Sequence, residues 1–510
     1  MCSRVLELRL SRRQFLKLAG TTALLASLDW RKLIRRAFAE LETGGISLVW
    51  FEAQDCAGDT TSLIQATEPD IVEVLAGLTN LTPPGAVVLP FHETVMPEWG
   101  FGSIAHLLLA LGGVYDPYVL ILEGAMPPDE DLTGIKGTNM LCYIGDYETV
   151  MESLEKLRRV VEGKMKPNTL LPVVDAVKAI SPERAKIIAE RLVEKIDEVE
   201  KATEECMKGL SGEDVVTCAR WFACLMKRAI GVVSFGNCAS YGGVVGNTVA
   251  FSWARSDLLE DYESTTGYKL YREWARYGWS FSPTGGVGFF PDPVRGYKGF
   301  AKILAEQAPE PFRSFAKPYV DFIDGKCVPD KPSPDASCKP AVAVPGCPSN
   351  GNAQLKTLTN LILWVKGELP LPELDQYWRP KIIFGGSVHE QCPRNEKYRA
   401  GILRSEPGEP SGACLFSVGC KGPISNCPYN KIGWVNGVGG PTRTGGVCIG
   451  CTMPGFMDAY EPYYKPLPAP VKPEASAATE LAAGAAVVGV LAAYGIRKLA
   501  GGEKEKEKGA

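Results

Sequence analysis

The stretch between residues 388 and 452 reads V-H-E-Q-C-P at 388–393, C-L-F-S-V-G-C-K-G-P at 414–423, N-C-P at 426–428 and G-G-V-C-I-G-C-T at 445–452. It places seven metal-type ligands in a segment rich in Gly and Pro: His389, Cys392, Cys414, Cys420, Cys427, Cys448 and Cys451. Thiolates at such spacings, in a backbone that can fold around a buried inorganic group, are what an iron–sulfur cluster requires. Seven ligands are too many for one tetrahedral metal and divide into two sites.

Two other interpretations of this stretch remain open. Structural zinc uses four ligands per site, often as pairs of CxxC type, and only Cys448 and Cys451 have that spacing here. Disulfides occur in exported proteins, but the histidine and the G-C-K-G-P turn at 419–423 argue against a plain disulfide framework. Iron–sulfur clusters are therefore favoured.

Length and composition set the frame for the rest of the chain. The 510 residues predict two to four domains, and 45% hydrophobic residues with a net charge of -4 describe a globular protein that is not a nucleic-acid binder. The chain has sixteen cysteines and three histidines, and so many cysteines indicate a chemical role for some of them.

Residues 46 to about 250 alternate short apolar runs with amphipathic segments, which predicts an α/β fold with a parallel sheet and helices on both faces. The predicted strands are 46–51, 86–91, 118–122, 230–235 and, after an interruption, 341–344.

Each of four strands is followed by a residue with metal or acid chemistry. Cys56 follows the first, Glu123 the third, Cys238 the fourth and Cys347 the fifth. Because the carboxyl ends of parallel strands meet at one edge of the sheet, where such sheets bind ligands, we expect these groups to lie together.

Together these motifs resemble the small, electron-transferring subunit of nickel–iron hydrogenases. The resemblance covers most of residues 40–455 and implies a flavodoxin-like N-terminal domain, followed by a mostly irregular iron–sulfur domain. It implies a distal 4Fe-4S cluster held by His389, Cys392, Cys414 and Cys420, and a medial 3Fe-4S cluster held by Cys427, Cys448 and Cys451. It also implies a proximal 4Fe-4S cluster held by Cys56, Cys238, Cys347 and one further residue.

The identity of that further residue is where this chain departs from the family. The family usually has a second cysteine three positions after the first, and here Asp59 stands in its place. One hypothesis makes Asp59 the fourth ligand through a carboxylate oxygen, a harder donor than a thiolate. The alternative makes it the N-cap of a helix over Thr60–Leu63. Glu123 is a candidate neighbour of the cluster or of the interface with the partner.

The remaining cysteines and histidines receive structural interpretations. Cys142, Cys218 and Cys224 are predicted to be small buried hydrophobes, whereas Cys327 and Cys338 are candidates for a disulfide after export. His92 is interpreted as a hydrogen-bonding residue near the partner interface, and His106 as a core residue.

Both ends of the chain carry targeting signals. S-R-R-Q-F-L-K at 11–17, an apolar run and A-F-A at 37–39 predict a twin-arginine signal peptide over 1–39. The uncharged run 481–496, followed by Arg497 and Lys498, predicts a transmembrane anchor over 481–499 with a charged cytoplasmic tail over 500–510.

The predicted organisation between the signal and the anchor has three parts. Residues 40–365 form the proximal-cluster domain, 366–459 the medial and distal cluster domain, and 460–480 a Pro-rich linker. The first domain contains an insertion at about 247–334 of unassigned role. It also contains a charged peripheral helix that begins with Ser181 as N-cap and Pro182 at the first position.

The resemblance implies a function for the whole. The chain would be the small subunit of an exported, membrane-anchored uptake hydrogenase, in which a separate nickel–iron large subunit splits H2. Electrons would leave through the three clusters to a membrane cytochrome or quinone-reactive subunit. An anchored iron–sulfur carrier that is not part of a hydrogenase is the alternative, and a quinone-reductase-type subunit is disfavoured because it lacks the module from His389 to Cys451.

Overall fold

The computed structural model of the chain describes residues 45–67, 70, 71, 74, 87–134, 139–246, 279–280, 285–406, 408, 411–457 and 464–467. The predicted signal peptide, most of the Pro-rich linker, the anchor and the tail lie outside these residues. Within the described part of the chain, no helix has the length and apolar character needed to cross a bilayer.

The main sheet has five parallel strands in the order β2-β1-β3-β6-β7. A second, two-stranded sheet pairs β4 with β5 antiparallel. The strands are β1 Ile46–Glu52, β2 Val87–His92, β3 Tyr118–Glu123, β4 Tyr143–Asp146, β5 Val215–Thr217, β6 Gly231–Phe235 and β7 Ala341–Val344. Each of the five predicted strands is confirmed to within one residue at either end.

Helices connect the strands and cover the sheet. In the first half of the chain they are α1 Gly58–Ile64, α2 Phe101–Leu111, α3 Glu130–Thr133, α4 Tyr147–Val161, α5 Pro167–Leu170, α6 Pro172–Ile180, α7 Pro182–Glu194 and α8 Ile196–Cys206. They continue as α9 Cys218–Met226, α10 Gly236–Tyr241, α11 Phe300–Gln307, α12 Phe312–Ile323 and α13 Gly351–Val365.

The C-terminal part has little regular structure. Its helices are single turns or slightly longer: α14 Lys381–Phe384, α15 Val388–Gln391, α16 Asn395–Arg399 and α17 Tyr429–Ile432, with 3-10 turns at Phe416–Val418 and Gly422–Ile424. Such loops suit a segment whose backbone must wrap around bound groups rather than build its own core.

Both faces of the main sheet are buried, as expected for a parallel sheet. Along β1, Val49 and Phe51 point into one apolar core and Leu48 and Trp50 into the other. The alternation follows from the two-residue period of a strand. The first core is shared with α2 and α9, and the second with α13.

The predicted charged helix begins as expected but does not run straight. Ser181 accepts a hydrogen bond from the Arg184 amide, and Pro182 occupies the first turn. The helix is interrupted at Lys195, which separates α7 from α8. Its apolar face packs on the main core through Ile188 and Leu192, which are both buried there.

The described part of the predicted insertion packs into the main core. Phe289, Phe300 and Tyr319 are fully buried there. The Tyr319 hydroxyl donates to the carbonyls of Met226 (2.9 Å) and Ala229 (3.0 Å), just before β6. This part of the segment is therefore a structural element of the first domain.

Disulfides correct the interpretation of several cysteines. Cys142 pairs with Cys218, and Cys206 pairs with Cys224, so the prediction that Cys142, Cys218 and Cys224 are unpaired buried hydrophobes is wrong. Sequence spacing did not reveal these pairs because 76 residues separate the members of the first. The pair Cys327–Cys338 is confirmed.

Removing the two long-range cysteines should cost more stability than removing the local pair. A disulfide reduces the conformational entropy of the unfolded chain, and the reduction grows with the logarithm of the number of residues in the loop that it closes. With separations of 76 and 11 residues, Cys142→Ser/Cys218→Ser should lower the free energy of unfolding by about 4.5 kcal/mol and Cys327→Ser/Cys338→Ser by about 2.8 kcal/mol. Urea denaturation followed by tryptophan fluorescence measures both. Equal losses, or the reverse order, would contradict the loop-closure argument.

Candidate iron–sulfur ligand sites

The carboxyl edge of the main sheet brings together the predicted proximal ligands. Cys56 lies in the turn after β1, Cys238 lies in α10 directly after β6, and Cys347 follows β7. Part of Cys347 faces solvent, yet desolvation of its thiol raises its pKa to about 12, and the neighbouring thiols of Cys238 and Cys451 contribute to the rise. These three thiols therefore form one electrostatically linked group, here called the proximal group.

Asp59 belongs to the same group, but not as a helix cap. The N-cap of α1 is Ala57, and Asp59 lies inside the first turn, so the capping alternative is wrong. Its Oδ1 accepts hydrogen bonds from the amide and the hydroxyl of Ser349, both at 2.6 Å. Burial, and next the charge of Glu123, raises the pKa of Asp59 to about 8. The raised pKa means that the surroundings of Asp59 disfavour its charged, carboxylate form, which a bound cation would stabilise.

Gly236 makes room for the Asp59 carboxylate. Its φ of +82° is in the region that favours glycine, and a Cβ at this position would lie 2.0 Å from Asp59 Oδ2. Any other residue at 236 would therefore displace the carboxylate from the proximal group.

Glu123 organises this edge from the end of β3. Its Oε1 accepts from the amides of Asp59 (2.9 Å) and Thr60 (3.2 Å) at the start of α1. Its Oε2 accepts from Trp50 Nε1 (2.9 Å) and from the Thr60 hydroxyl (2.5 Å). A carboxylate at a helix N-terminus complements the helix dipole and satisfies amides that have no partner within the helix. Glu123 thus fixes the turn that carries Cys56 and Asp59.

The interpretation of His92 and His106 as structural residues is confirmed. His92 is 1% exposed, stacks on Trp50 with ring centroids 4.9 Å apart, and its Nε2 lies 3.2 Å from the Thr60 hydroxyl. His106 is fully buried, with its Nδ1 2.6 Å from the Tyr115 hydroxyl.

Two acidic neighbours of the proximal group were missed by sequence reasoning. One carboxylate oxygen from each of Glu52, Asp55 and Glu123 lies within 4.8 Å of the other two. Burial, and next the charge of Glu123, raises the pKa of Asp55 to about 7. The signal in the sequence was available, since Glu52 ends β1 and Asp55 directly precedes Cys56.

The predicted medial ligands form a second group in the C-terminal part. Burial raises the pKa of Cys427 to about 11 and that of Cys451 to about 12. Burial also raises the pKa of Cys448 well above its ordinary value, and the thiols of Cys420, Cys451 and Cys427 add to the effect. Three desolvated thiols that act on one another are suited to bind a cationic inorganic group, because coordination replaces the proton and supplies the missing charge.

The predicted distal ligands line one open cavity. Its walls include His389, Cys392, Cys414 and Cys420, which are the four residues assigned to one cluster by the resemblance. Burial lowers the pKa of His389, which favours the neutral imidazole that binds metals. This cavity is called the distal group.

Backbone amides point at the sulfur atoms of the distal group. The Arg394 amide donates to Cys392 Sγ and the Gly422 amide to Cys420 Sγ, each at 3.4 Å. Amide hydrogen bonds to sulfur tune iron–sulfur clusters and favour the thiolate over the thiol.

Contacts link the three groups in series, with the medial group between the other two. The Cys347 amide hydrogen-bonds the Cys451 thiol, and so joins the proximal to the medial group. The Lys421 amide donates to the Cys448 carbonyl at 2.7 Å, and so joins the distal to the medial group. Nine free cysteines in the described residues therefore fall into three neighbouring sets, with Cys347–Cys451 and Cys420–Cys448 as the two junctions.

This arrangement agrees with what known proteins show about the C-terminal part. Residues 384–464 match the family model that describes the C-terminal domain of the small subunits of NiFe/NiFeSe hydrogenases. The chain is a homologue of NiFe hydrogenase small subunits. The matched region contains the medial and distal groups in full.

Relatives extend the similarity over most of the chain. The F420 non-reducing hydrogenase I small subunit of Methanosarcina mazei is 25% identical, over 90% of this chain and 84% of that protein. The periplasmic NiFeSe hydrogenase small subunit of Desulfomicrobium baculatum is 24% identical, over 89% of this chain and 98% of that protein. The uptake hydrogenase small subunit of Azotobacter vinelandii is 37% identical over a shorter region, 24% of this chain and 33% of that protein.

One solved structure shares the fold over nearly the whole chain. The actinobacterial-type NiFe hydrogenase from Ralstonia eutropha H16 matches with a TM-score of 0.52 and 23% identity, over 91% of this chain and 92% of that one. The chain accordingly has the α/β fold of that structure, and its groups of thiol, imidazole and carboxyl donors fit iron–sulfur clusters.

Replacing Glu123 should loosen the turn that carries Cys56 and Asp59. Glu123→Ala removes the acceptor of four hydrogen bonds and leaves buried donors unsatisfied, so we expect the free energy of unfolding to fall by about 4 kcal/mol. Glu123→Gln keeps the shape and one oxygen and should cost about 2 kcal/mol. Urea denaturation measures both variants.

Glu52→Gln provides the matched control, because Glu52 is also a buried carboxylate near this edge and accepts from the Thr94 hydroxyl. It should cost less than Glu123→Gln. Equal losses in the two Gln variants would show that general burial of carboxylates, rather than support of α1, explains the effect.

Proposed function

We propose that this chain is the electron-transfer small subunit of an uptake NiFe hydrogenase, whose partner large subunit oxidises H2. The observation that carries the proposal is the line of three ligand groups, joined at Cys347–Cys451 and at Cys420–Cys448. The small subunit of a hydrogenase needs such a line, since it must link a buried catalytic partner to an outside acceptor.

The proposed ligand sets follow the three groups. Cys56, Asp59, Cys238 and Cys347 would hold a proximal 4Fe-4S cluster, and Cys427, Cys448 and Cys451 a medial 3Fe-4S cluster. His389, Cys392, Cys414 and Cys420 would hold a distal 4Fe-4S cluster in the cavity they line. When bound, these clusters supply one-electron redox centres.

The role proposed for Asp59 rests on its burial and on its place beside three thiols. Its carboxylate is within electrostatic range of Cys56, Cys238 and Cys347 and raises the pKa of each. Ser349 occupies Oδ1, and Oδ2 faces Gly236. A carboxylate oxygen is a harder donor than a thiolate and would change the reduction potential relative to a cluster held by four thiolates, so Asp59 would tune the cluster as well as hold it.

The carboxyl edge of the sheet is the proposed contact with the large subunit. If only the five strands of the main sheet are numbered along the chain, their order β2-β1-β3-β6-β7 becomes 2-1-3-4-5. This order supports a flavodoxin-like domain, which uses this edge of the sheet for binding. Two exposed apolar side chains follow β2 along the chain: Trp99 is 85% exposed and Val95 48% exposed. Exposed tryptophan at a functional edge is typical of a protein interface.

Export to the outer face of the cell membrane is the proposed destination. Three disulfides in the described residues favour an oxidising compartment. The twin-arginine string at 11–17 would direct the folded chain there, and the run 481–499 would anchor it beside a membrane cytochrome or quinone-reactive subunit.

Spectroscopy of the purified complex tests the function directly. We expect iron and acid-labile sulfide, nickel in a co-purifying large subunit, and an electron paramagnetic resonance signal of a three-iron cluster in the oxidised sample. Under H2 that signal should disappear while reduced four-iron signals appear. Zinc in place of iron would refute the ligand assignments. Iron–sulfur signals that do not change under H2 would instead favour an iron–sulfur electron carrier that is not part of a hydrogenase.

Variants at Asp59 separate a ligand from a packing residue. Asp59→Ala should lose iron from the proximal group alone and abolish reduction of the other clusters by H2, because the first acceptor is missing. Asp59→Cys should restore the iron, since a thiolate can replace the carboxylate. Ser349→Ala is the control, as it removes a hydrogen bond to Asp59 while keeping the carboxylate. Unchanged iron in Asp59→Ala would end the ligand hypothesis.

A further inference from the structure

A buried arginine lies beside the medial group and was not noticed in the sequence. Arg379, just before α14, is 1% exposed. Its Nε donates to Asp375 Oδ2 (2.8 Å), and its Nη2 lies 2.7 Å from the same oxygen. A guanidinium so deeply buried needs a hydrogen-bond partner for each of its N–H groups. The partners of the N–H groups that do not bond Asp375 indicate the role of Arg379.

The remaining N–H groups of Arg379 reach the loops that carry medial ligands. Nη1 donates to the Thr452 carbonyl at 2.9 Å, one residue after Cys451. Nη2 donates to Asn426 Oδ1 at 3.2 Å, one residue before Cys427. Arg379 therefore spans the two ligand loops.

A direct bond between the loops closes this arrangement. The Thr452 hydroxyl donates to the Asn426 carbonyl at 2.9 Å. Arg379, Asn426 and Thr452 thus form a ring of hydrogen bonds behind Cys427 and Cys451, which fixes the separation of the two ligand loops.

The charge of Arg379 also acts on one medial thiol, that of Cys427. Burial raises the pKa of Cys427, and the positive charge of Arg379 opposes that rise. Asp375 neutralises part of this charge, but it lies toward the surface, with its side chain 17% exposed while that of Arg379 is 2% exposed. Of this ion pair, the deeply buried member that acts on Cys427 is the cation.

We propose that Arg379 is a positioning residue of the medial group, which holds the Cys427 and Cys451 loops and raises the reduction potential of the cluster bound there. The proposal rests on the proposed function. Reduction adds one negative charge beside Cys427, and a buried cation in a low-dielectric site stabilises the reduced form more than the oxidised form. Asp375 sets how much of that charge is felt.

Redox titration of the whole complex, followed by the three-iron resonance signal, tests the proposal. Arg379→Gln should lower the midpoint potential so that the ratio of oxidised to reduced medial cluster rises at least ten-fold at fixed potential, which is about 59 mV for a one-electron couple. Arg379→Lys keeps the charge and should shift the ratio less. Asp375→Asn should shift it in the opposite direction, because less of the arginine charge is neutralised.

Arg295→Gln is the matched control. Arg295 is also a buried arginine paired with an aspartate, Asp292, and it donates to the carbonyls of Phe456 and Met457. It should alter stability without moving the medial potential. Shifts of the same size in Arg295→Gln and Arg379→Gln would overturn the proposal.

Two further outcomes separate this inference from the proposed function. A wild-type complex with no three-iron signal would contradict the proposed function itself. A normal wild-type signal, with an unchanged potential in both Arg379→Gln and Asp375→Asn, would overturn only the role of Arg379. Where Arg379→Gln fails to assemble, the sign of the shift in Asp375→Asn decides.

Discussion

Burial of thiol groups without their own counter-charge is the constraint on which the rest of this structure depends. Desolvation is the largest influence on the pKa of Cys347, Cys420, Cys427 and Cys451, and it moves each to about 11 or 12. At neutral pH such thiols keep their protons unless positive charge arrives to replace them. The protein alone thus provides shape and donors, and the full stability of these loops depends on what they bind.

The chain answers this constraint with oriented dipoles and few formal charges. Amides of Arg394 and Gly422 point at sulfur atoms in the distal group, and Arg379 is placed behind the medial group. Backbone amides can donate to sulfur without the burial of a formal charge, and tight turns hold them in place. The need for such turns explains why the stretch from His389 to Cys451 is rich in Gly and Pro. At the proximal edge, by contrast, the carboxyl groups of Glu52, Asp55, Asp59 and Glu123 crowd one another, and burial with mutual repulsion raises the pKa of Asp55 and Asp59, so a bound cationic group would be needed most there.

What the sequence could predict was decided by local physics. The five strands were placed almost correctly, because runs such as 46–51 and 341–344 are almost wholly apolar and a buried strand is the short element that uses such a run. The gathering of Cys56, Cys238 and Cys347 followed from strand direction alone. The Ser181 cap followed from chemistry within three residues.

What it could not predict depends on contacts between distant positions. The cap alternative for Asp59 arose because its neighbours are compatible with a helix start, but its hydrogen-bond partner is Ser349, 290 residues away. Arg379 and the Cys142–Cys218 bridge have the same character, since no spacing rule connects residues that the fold alone brings together. The coverage of the core by residues 285–334 was also invisible, because an aromatic-rich segment looks alike whether it forms an appendage or a layer of the core.

Asn237 shows how the two halves of the ligand line are held in one arrangement. It lies between Gly236, which faces the Asp59 carboxylate, and the proximal ligand Cys238. Its side-chain amide donates to the carbonyls of Cys451 (2.8 Å) and Met453 (2.9 Å). Because it is 1% exposed, no water competes for these bonds. The proximal and medial loops therefore cannot shift independently, and a packed interior of this kind keeps one spacing between them rather than a range. A line of redox sites needs such fixed spacings, and here one buried amide beside a ligand contributes to them.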